Sequence, residues 1–205
     1  MVQVRAAAEA ESGYIASMSI WKPAIFLLLP LAATAGDLRE ERDPATGLSS
    51  WIYADNGFSL QLIQLLPEYV NALYSSRGLP KSIVDGMSDY CVFGTVIKND
   101  TPRKLSYRVA DWRYIGPGGK PQKPRTKTEW LKEWRKQGST YQWSILPDDQ
   151  TFESGDWSQG FTTVKLKPGT AFDLVVHWRM GNEKHQYQFR DLRCAPEKPP
   201  VAGAS

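Results

Sequence analysis

The residues best suited to chemistry lie in one segment, 120–136, which is both basic and aromatic. Seven Lys or Arg residues and two Glu give it a local charge of +5 in a chain whose net charge is +3. Thr126 and Glu129 have the spacing of a capping box and predict a short helix that carries Trp130 and Trp134 on one side. Because Trp and Arg dominate binding hot spots, the segment predicts a docking surface for a protein partner.

The candidate contact residues are the cations of this segment, its aromatic pair and one Trp farther along the chain. They are Lys123, Arg125, Lys127, Trp130, Trp134, Arg135 and Trp157. A second interpretation makes the same helix a crossover between strands, with its Trp pair packed on the sheets. The partner hypothesis therefore requires Trp130 and Trp134 to be at least partly exposed.

Basic and aromatic content also suits nucleic acid or anionic lipid. Evidence of export, given below, argues against a nucleic-acid partner. The apolar side of the helix in 120–136 is too short for stable membrane insertion. We therefore expect an envelope protein as the partner, with no nucleic acid and no stable membrane insertion after signal cleavage.

Trp157 supports a different function. It lies in the segment 154–160, whose Ser, Gly, Asp and Gln residues predict an exposed polar loop. An indole offers a flat apolar face with one polar N–H, and such faces stack on sugar rings. A glycan-binding module is therefore the alternative function, and it requires an exposed, coplanar aromatic pair with amide or carboxylate groups nearby.

Catalysis finds little support in the sequence. It contains no G-x-S-x-G, no H-E-x-x-H and no phosphate-binding Gly-rich loop. His177 and His185 are expected on opposite faces of a hairpin, and the carboxylates are scattered. We assign no catalytic residue, no metal ligand and no cofactor, and an enzyme of unfamiliar type is the third hypothesis.

Composition is that of a globular protein. The chain has 205 residues, of which 41 % are hydrophobic and 23 % charged, which fits one domain with a sizeable core. With two Cys and two His, a zinc-finger array and a Cys-rich mini-protein are excluded.

An export signal is predicted near the N-terminus. The apolar run 24–35 follows Lys22 and ends in an A-x-A motif, so cleavage is expected after Ala35. The run is shorter than the ~20 residues that span a bilayer, and a buried core helix is the alternative. Met18 gives a more ordinary signal length than Met1. The sequence therefore predicts a periplasmic or secreted protein.

Export changes the interpretation of the two cysteines. Cys91 and Cys194 both lie in the mature part of the chain, and in an oxidising compartment such a pair forms a disulfide. A redox or metal pair is the alternative, but there is no C-x-x-C motif. The sequence predicts a Cys91–Cys194 disulfide.

The elements that must position these residues are mainly strands. Residues 37–50 predict a flexible lead-in, Asn56-Gly57 a hairpin turn and 58–66 a strand, with a helix as the alternative for 58–66. Two short helices are expected next, from Pro67 to Gly78 and over 80–87. Further strands are expected over 90–98, 104–115 with a bulge at Ala110-Asp111, 141–146, 161–167, 171–180 and 185–192.

The final hairpin and the turn before it carry information about the fold. A turn centred on Asn182-Glu183 would place Trp178 opposite Tyr187, and one face of the hairpin is apolar. The turn Lys167-Pro168-Gly169-Thr170 resembles the strand–Pro-Gly–strand corner of immunoglobulin-like domains in exported bacterial proteins. That resemblance covers at most 90–194 and implies a fold without an activity.

Together these patterns predict a mainly β protein, an immunoglobulin-like antiparallel β-sandwich with a short N-terminal helical cap and one inserted helix. Residues 1–35 are the upstream extension and signal peptide, and 36–57 are a polar lead-in with a first short strand. Residues 58–89 supply a strand and the helical cap, 90–195 the β-sandwich domain, and 196–205 a disordered tail.

Overall fold

The computed structural model describes residues 36–199, and within them the chain forms eleven strands and three α-helices. The strands are β1 Asp37–Arg42, β2 Ser49–Asp55, β3 Phe58–Gln64, β4 Cys91–Asn99, β5 Leu105–Arg108, β6 Arg113–Ile115, β7 Pro121–Gln122, β8 Asp149–Phe152, β9 Trp157–Val164, β10 Ala171–Met180 and β11 Glu183–Arg193. The helices are α1 Pro67–Ser76, α2 Lys81–Ser88 and α3 Lys127–Lys136.

The strands form two antiparallel sheets. Sheet A has the order β1-β2-β3-β4-β9. In sheet B, β10 pairs with β11 on one side and with both β5 and β6 on the other. The strand β8 then pairs with β5, and β7 pairs with β6. The prediction of a mainly β, sandwich-like protein is confirmed. The immunoglobulin-like topology is not confirmed, since sheet A sets four consecutive strands side by side.

Two apolar clusters hold these layers. The first lies between the sheets and includes Phe58, Phe93, Trp112, Val176 and Phe189. The second lies on the outer side of sheet A, where the helices cover it, and its members include Val70, Tyr74, Ile83, Met87, Val92, Trp130 and Trp134. Sheet A is therefore buried on its inner side and partly on its outer side.

The predicted lead-in is wrong, because Asp37–Arg42 is an edge strand paired with β2. All six of its side chains are exposed, so its pairing depends on backbone hydrogen bonds and leaves no hydrophobic pattern in the sequence. Charged side chains on an edge strand also protect it against pairing with another chain. The hairpin that follows is confirmed, with positive φ at Asn56 and Gly57 as a type I′ turn requires.

Two predictions between β4 and β9 need correction. The predicted bulge is a 3₁₀ turn, Val109–Asp111, which keeps Val109 and Trp112 both buried. The predicted strand over 141–146 reduces to one bridge between Ile145 and Phe161, because Ser144 has a φ of 80° that breaks the extended backbone.

The register of the final hairpin is two residues tighter than expected. Met180 lies opposite Glu183 and Trp178 opposite His185, so the turn is Gly181-Asn182. Gly181 has a φ of 59°, the conformation that a type II′ turn demands of its first residue. A shift of two preserves the alternation of side chains, so the apolar face is as predicted.

The Cys91–Cys194 disulfide is confirmed. Cys91 begins β4 in sheet A and Cys194 follows β11 in sheet B, so the bond links the two sheets. Disulfides form and persist in oxidising compartments, and the bond therefore indicates an extracytoplasmic location.

The predicted extension and signal peptide, 1–35, and residues 200–205 of the predicted tail lie outside the described residues. Within the part that is described, none of the helices has the length and hydrophobicity needed to cross a membrane.

Candidate binding surfaces

The basic, aromatic segment folds as its capping signal predicts. Thr126 accepts a hydrogen bond from the Glu129 amide, and the Glu129 carboxylate accepts one from the Thr126 amide. The helix that begins here lies on sheet A with its indoles inward. Trp130 is 2 % exposed and Trp134 1 % exposed, so neither is available to a partner.

Specific contacts hold the aromatic pair in place. Trp130 Nε1 donates to Thr163 Oγ1 at 2.9 Å, on the outer side of β9. The Trp134 ring packs against Tyr74 of α1, with 5.6 Å between centroids. The guanidinium of Arg125 lies 3.9 Å from the centroid of the Trp130 ring and is used as part of the same packing.

The expected exposure of Trp130 and Trp134 is therefore wrong, and the crossover helix describes the segment. A helix in a covered layer needs a large apolar face, and two Trp at i and i+4 supply it. The cations Lys123 and Arg135 remain exposed and Lys127 is half-buried. Only charge, without an aromatic anchor, is left for a partner at this segment.

The helices cover only part of the outer side of sheet A. Beyond them, two cross-strand rows of side chains face outward on β2, β3, β4 and β9. The first row is Ile52, Gln61, Val96 and Gln159, and the second is Ala54, Ser59, Lys98 and Trp157. We call these two rows the open face of sheet A.

The open face combines an apolar floor with polar groups. Ile52 and Val96 are half-buried, and Gln61 and Gln159 flank Val96 on the two neighbouring strands. Cβ atoms of directly opposite residues in a sheet lie about 5 Å apart. The Cβ atoms of the two Gln residues are therefore about 10 Å apart across the sheet.

Trp157 is the exposed aromatic residue of this face. It is the first residue of β9, lies opposite Lys98 and is 56 % exposed. The sequence predicts an exposed Trp157 in a loop, and the structure confirms the exposure while placing the residue in a strand. A strand fixes the ring more firmly than a loop would.

Trp143 is a second exposed indole, and no motif in the sequence marks it as a binding residue. It is 68 % exposed and precedes Ser144, whose φ of 80° is a left-handed conformation uncommon outside glycine. Hydrogen bonds hold that turn: Ser144 Oγ lies 2.8 Å from the Tyr74 hydroxyl, and the Phe161 amide donates to the Ser144 carbonyl at 2.6 Å.

The two exposed indoles are both close in sequence to a bridge at β9. Ile145 and Phe161 form that bridge, and Trp143 precedes it by two residues, whereas Trp157 precedes it by four. Trp143 itself is outside the paired residues, since the chain turns at Ser144. The only sequence signal for Trp143 was its position between polar residues, Gln142 and Ser144.

Features of an enzyme site are sparse in the described part of the chain. No group of three or more His, Cys, Asp or Glu within residues 36–199 could hold a metal ion. His177 pairs with Gln186, whereas His185 stacks on Trp178, so the two imidazoles lie on opposite sides of sheet B as expected.

Comparisons with known proteins add no identity. No family model matches the chain, and no curated protein matches it. A crystal structure of the yjhA protein from Bacillus subtilis is similar at 13 % identity and a TM-score of 0.36, over 61 % of this chain and 76 % of that one. At that score the likeness carries no argument.

Proposed function

We propose that this chain is an exported, non-enzymatic glycan-binding module, periplasmic or secreted, that uses the open face of sheet A. The observation that carries the proposal is Trp157, which strand pairing holds 56 % exposed on a face that bears Gln61 and Gln159. Trp143 adds a second indole, 68 % exposed, two residues before the segment that bridges β9. Lone exposed apolar residues are ordinary, but two indoles beside one half-apolar face are not.

The chemistry of the face suits a sugar polymer. The C–H side of a pyranose ring is apolar and stacks on an indole, whose own N–H stays free to donate. Each Gln amide has two donors and one acceptor oxygen, which matches the mixed donor and acceptor character of sugar hydroxyls. The face extends across four strands, so it fits several rings of a chain better than one small molecule enclosed in a cavity.

Co-sedimentation with insoluble polysaccharides tests the proposal. The mature protein is incubated with purified peptidoglycan, chitin, cellulose and xylan, and the bound fraction is measured over a concentration series. We expect saturable binding to one of these polymers by the wild type. Trp157→Ala should weaken that binding about tenfold, which corresponds to 1.4 kcal/mol.

Tyr69→Ala is the matched control, because Tyr69 is an exposed aromatic on α1, 54 % exposed, outside the open face. It should bind as the wild type does. Retention of full affinity by Trp157→Ala, or equal losses in Trp157→Ala and Tyr69→Ala, would contradict the proposal.

A protein partner of the envelope is the second candidate. The observation that favours it is a cleft of about 480 Å3 lined by Lys123, Lys132, Lys136 and Lys165, with Glu129 and Glu133 as its acidic members. Excess positive charge of this kind attracts an acidic protein surface. A pull-down from envelope extract should retain a partner that Lys132→Gln/Lys136→Gln loses, and equal retention by both proteins would contradict it.

A further inference from the structure

We propose that the outer side of sheet B holds a binding site for a phosphate or sulfate group, separate from the open face of sheet A. A cleft of about 590 Å3 lies there. Its basic lining residues come from four strands, and they are Arg108, Arg113, His177, Arg179, Lys184 and His185. Asp111 is its acidic member. We call this the cationic cleft.

Strand register builds the site. Arg179 on β10 lies directly opposite Ser106 on β5 and Lys184 on β11, so these three side chains form one cross-strand row. His177 lies two residues earlier on β10, on the same side of the sheet. Neighbouring strands are about 4.8 Å apart and alternate residues about 6.7 Å apart, so one anion of phosphate size contacts several of these groups at once.

The acid that lines the cleft, Asp111, is already committed to Arg108. Asp111 accepts two hydrogen bonds from Arg108, at 3.0 and 2.9 Å. That bonding, with smaller contributions from the charges of His177 and Arg113, holds the pKa of Asp111 below its usual range. Asp111 is thus the ionised partner of Arg108, and it leaves the rest of the cleft positive.

Arg113 is oriented by the backbone. Its Nη1 donates to the carbonyls of Ala110 and Trp112, at 2.8 and 2.6 Å. Trp112 in turn donates from Nε1 to the His177 carbonyl at 3.1 Å, which ties the 3₁₀ turn to β10. The guanidinium of Arg113 therefore has a fixed place at the rim of the cleft.

Arg179 and Lys184, which lie directly opposite each other, have no acidic partner within the described part of the chain. Among residues 36–199, neither has a carboxylate oxygen within 4.0 Å of its charged nitrogen atoms. Like charges directly opposite each other in a sheet destabilise it. An oxyanion between them would reverse that cost, since a guanidinium fork and an ammonium both donate to phosphate or sulfate.

The ligand class follows from these donors. Ser106 adds a hydroxyl to the charged row, so the site offers donors from three strands to a tetrahedral anion. A carboxylate has two oxygens in one plane and would use fewer of them. The shared chemistry is a phosphate or sulfate group, whether the anion is free or is attached to a larger molecule.

The test is an NMR titration of the ¹⁵N-labelled mature protein with sodium phosphate and sodium sulfate, with sodium chloride at matched ionic strength as the reference. We expect saturable shifts centred on Ser106, His177, Arg179 and Lys184. A parallel arm with glucose 6-phosphate distinguishes a free anion from an attached one, because an attached group should bind several-fold more tightly if the site is built for it.

Arg179→Gln/Lys184→Gln should weaken phosphate binding at least tenfold while preserving the spectrum of the folded protein, since both positions are exposed. Arg77→Gln/Lys167→Gln removes one Arg and one Lys from two other exposed positions and should bind as the wild type does. Shifts that match those with chloride, fail to saturate or persist in the first variant would overturn the proposal.

Discussion

The outer sides of the two sheets differ in whether helices cover them. Three helices pack on sheet A, and the buried pair Trp130 and Trp134 holds one of them, α3, against the sheet. Sheet B bears no helix on its outer side within the described residues, and its side chains there are mostly charged or polar. Both regions combine cations with aromatic residues in the sequence, yet only the part of sheet A beneath the helices is closed by packing.

This difference shows where aromatic and basic side chains remain exposed and can bind a ligand. On an amphipathic helix, aromatic residues at i and i+4 face the layer beneath, and the cations between them face water. On a strand, alternation puts the cations of β10 on one side and its aromatic residues on the other. Function is therefore expected on the uncovered strands, where exposed indoles and cations have no packing role.

The largest expected effect concerns the bond that joins the two sheets. Reduction of Cys91–Cys194, or the variant Cys91→Ala/Cys194→Ala, should lower the free energy of unfolding by up to about 4–5 kcal/mol, because the bond closes a long loop. Urea denaturation with and without reductant measures this. A change below about 1 kcal/mol would mean that each sheet is held without the link.

A comparison of four Trp residues tests whether the covered side is structural. Trp134→Ala should cost about 3–5 kcal/mol of unfolding free energy, since it empties a packed site under α3, and Trp130→Ala should cost a similar amount. Trp143→Ala and Trp157→Ala should each change it by less than about 0.5 kcal/mol. Urea denaturation of the four variants measures these changes. Similar losses of unfolding free energy at all four positions would contradict the distinction between covered and exposed Trp residues.

Alkaline pH should weaken both cores. Burial raises the pKa of Tyr53 to about 12 and raises the pKa of Tyr74 and Tyr107 further. The folded state thus keeps protons that the unfolded state loses above about pH 10, so each such Tyr should lower stability by about 1.4 kcal/mol per pH unit between its two pKa values.

Absorbance at 295 nm and urea denaturation between pH 8 and pH 12 would measure this effect. Tyr74→Phe is the matched variant and should show a shallower fall in stability above about pH 10. A fall as steep as that of the wild type would show that Tyr74 titrates normally beneath the helices.

The smallest expected effect concerns an ion pair on the outer side of sheet B. The ion pair between Arg108 and Asp111 is exposed, so Asp111→Asn should change stability by less than about 1 kcal/mol. Because the folded-state pKa of Asp111 is lowered, the contribution of the pair should vanish as pH falls through that value. Freed of its partner, Arg108 should strengthen phosphate binding by roughly twofold, about 0.4 kcal/mol. Weaker binding would contradict the cationic cleft.

Local signals predicted much of the fold. The Asn56-Gly57 turn, the capping box at Thr126 and the disulfide all depend on chemistry that is visible within a few residues or in a Cys count. The edge strand Asp37–Arg42 was missed because both of its sides face water, so it has no alternating pattern to find.

The binding surfaces were harder to predict, since they depend on which elements cover which side of a sheet. Nothing near Trp130 in the sequence says that α3 lies on β9. Nothing near Trp143 predicts the left-handed backbone conformation of Ser144, which follows it. The row of Ser106, Arg179 and Lys184 joins three strands that are far apart in sequence. Only the pairing of those strands brings these donors together.

One measurement tests the central claim, that the uncovered indoles bind and the covered ones support the fold. It is the binding isotherm of Trp143→Ala/Trp157→Ala on the polysaccharide that retains the wild type, with urea stability measured on the same preparation. We predict loss of detectable binding at unchanged stability. Wild-type affinity in this variant, or no retention of the wild type by any of the four polymers, would contradict the account.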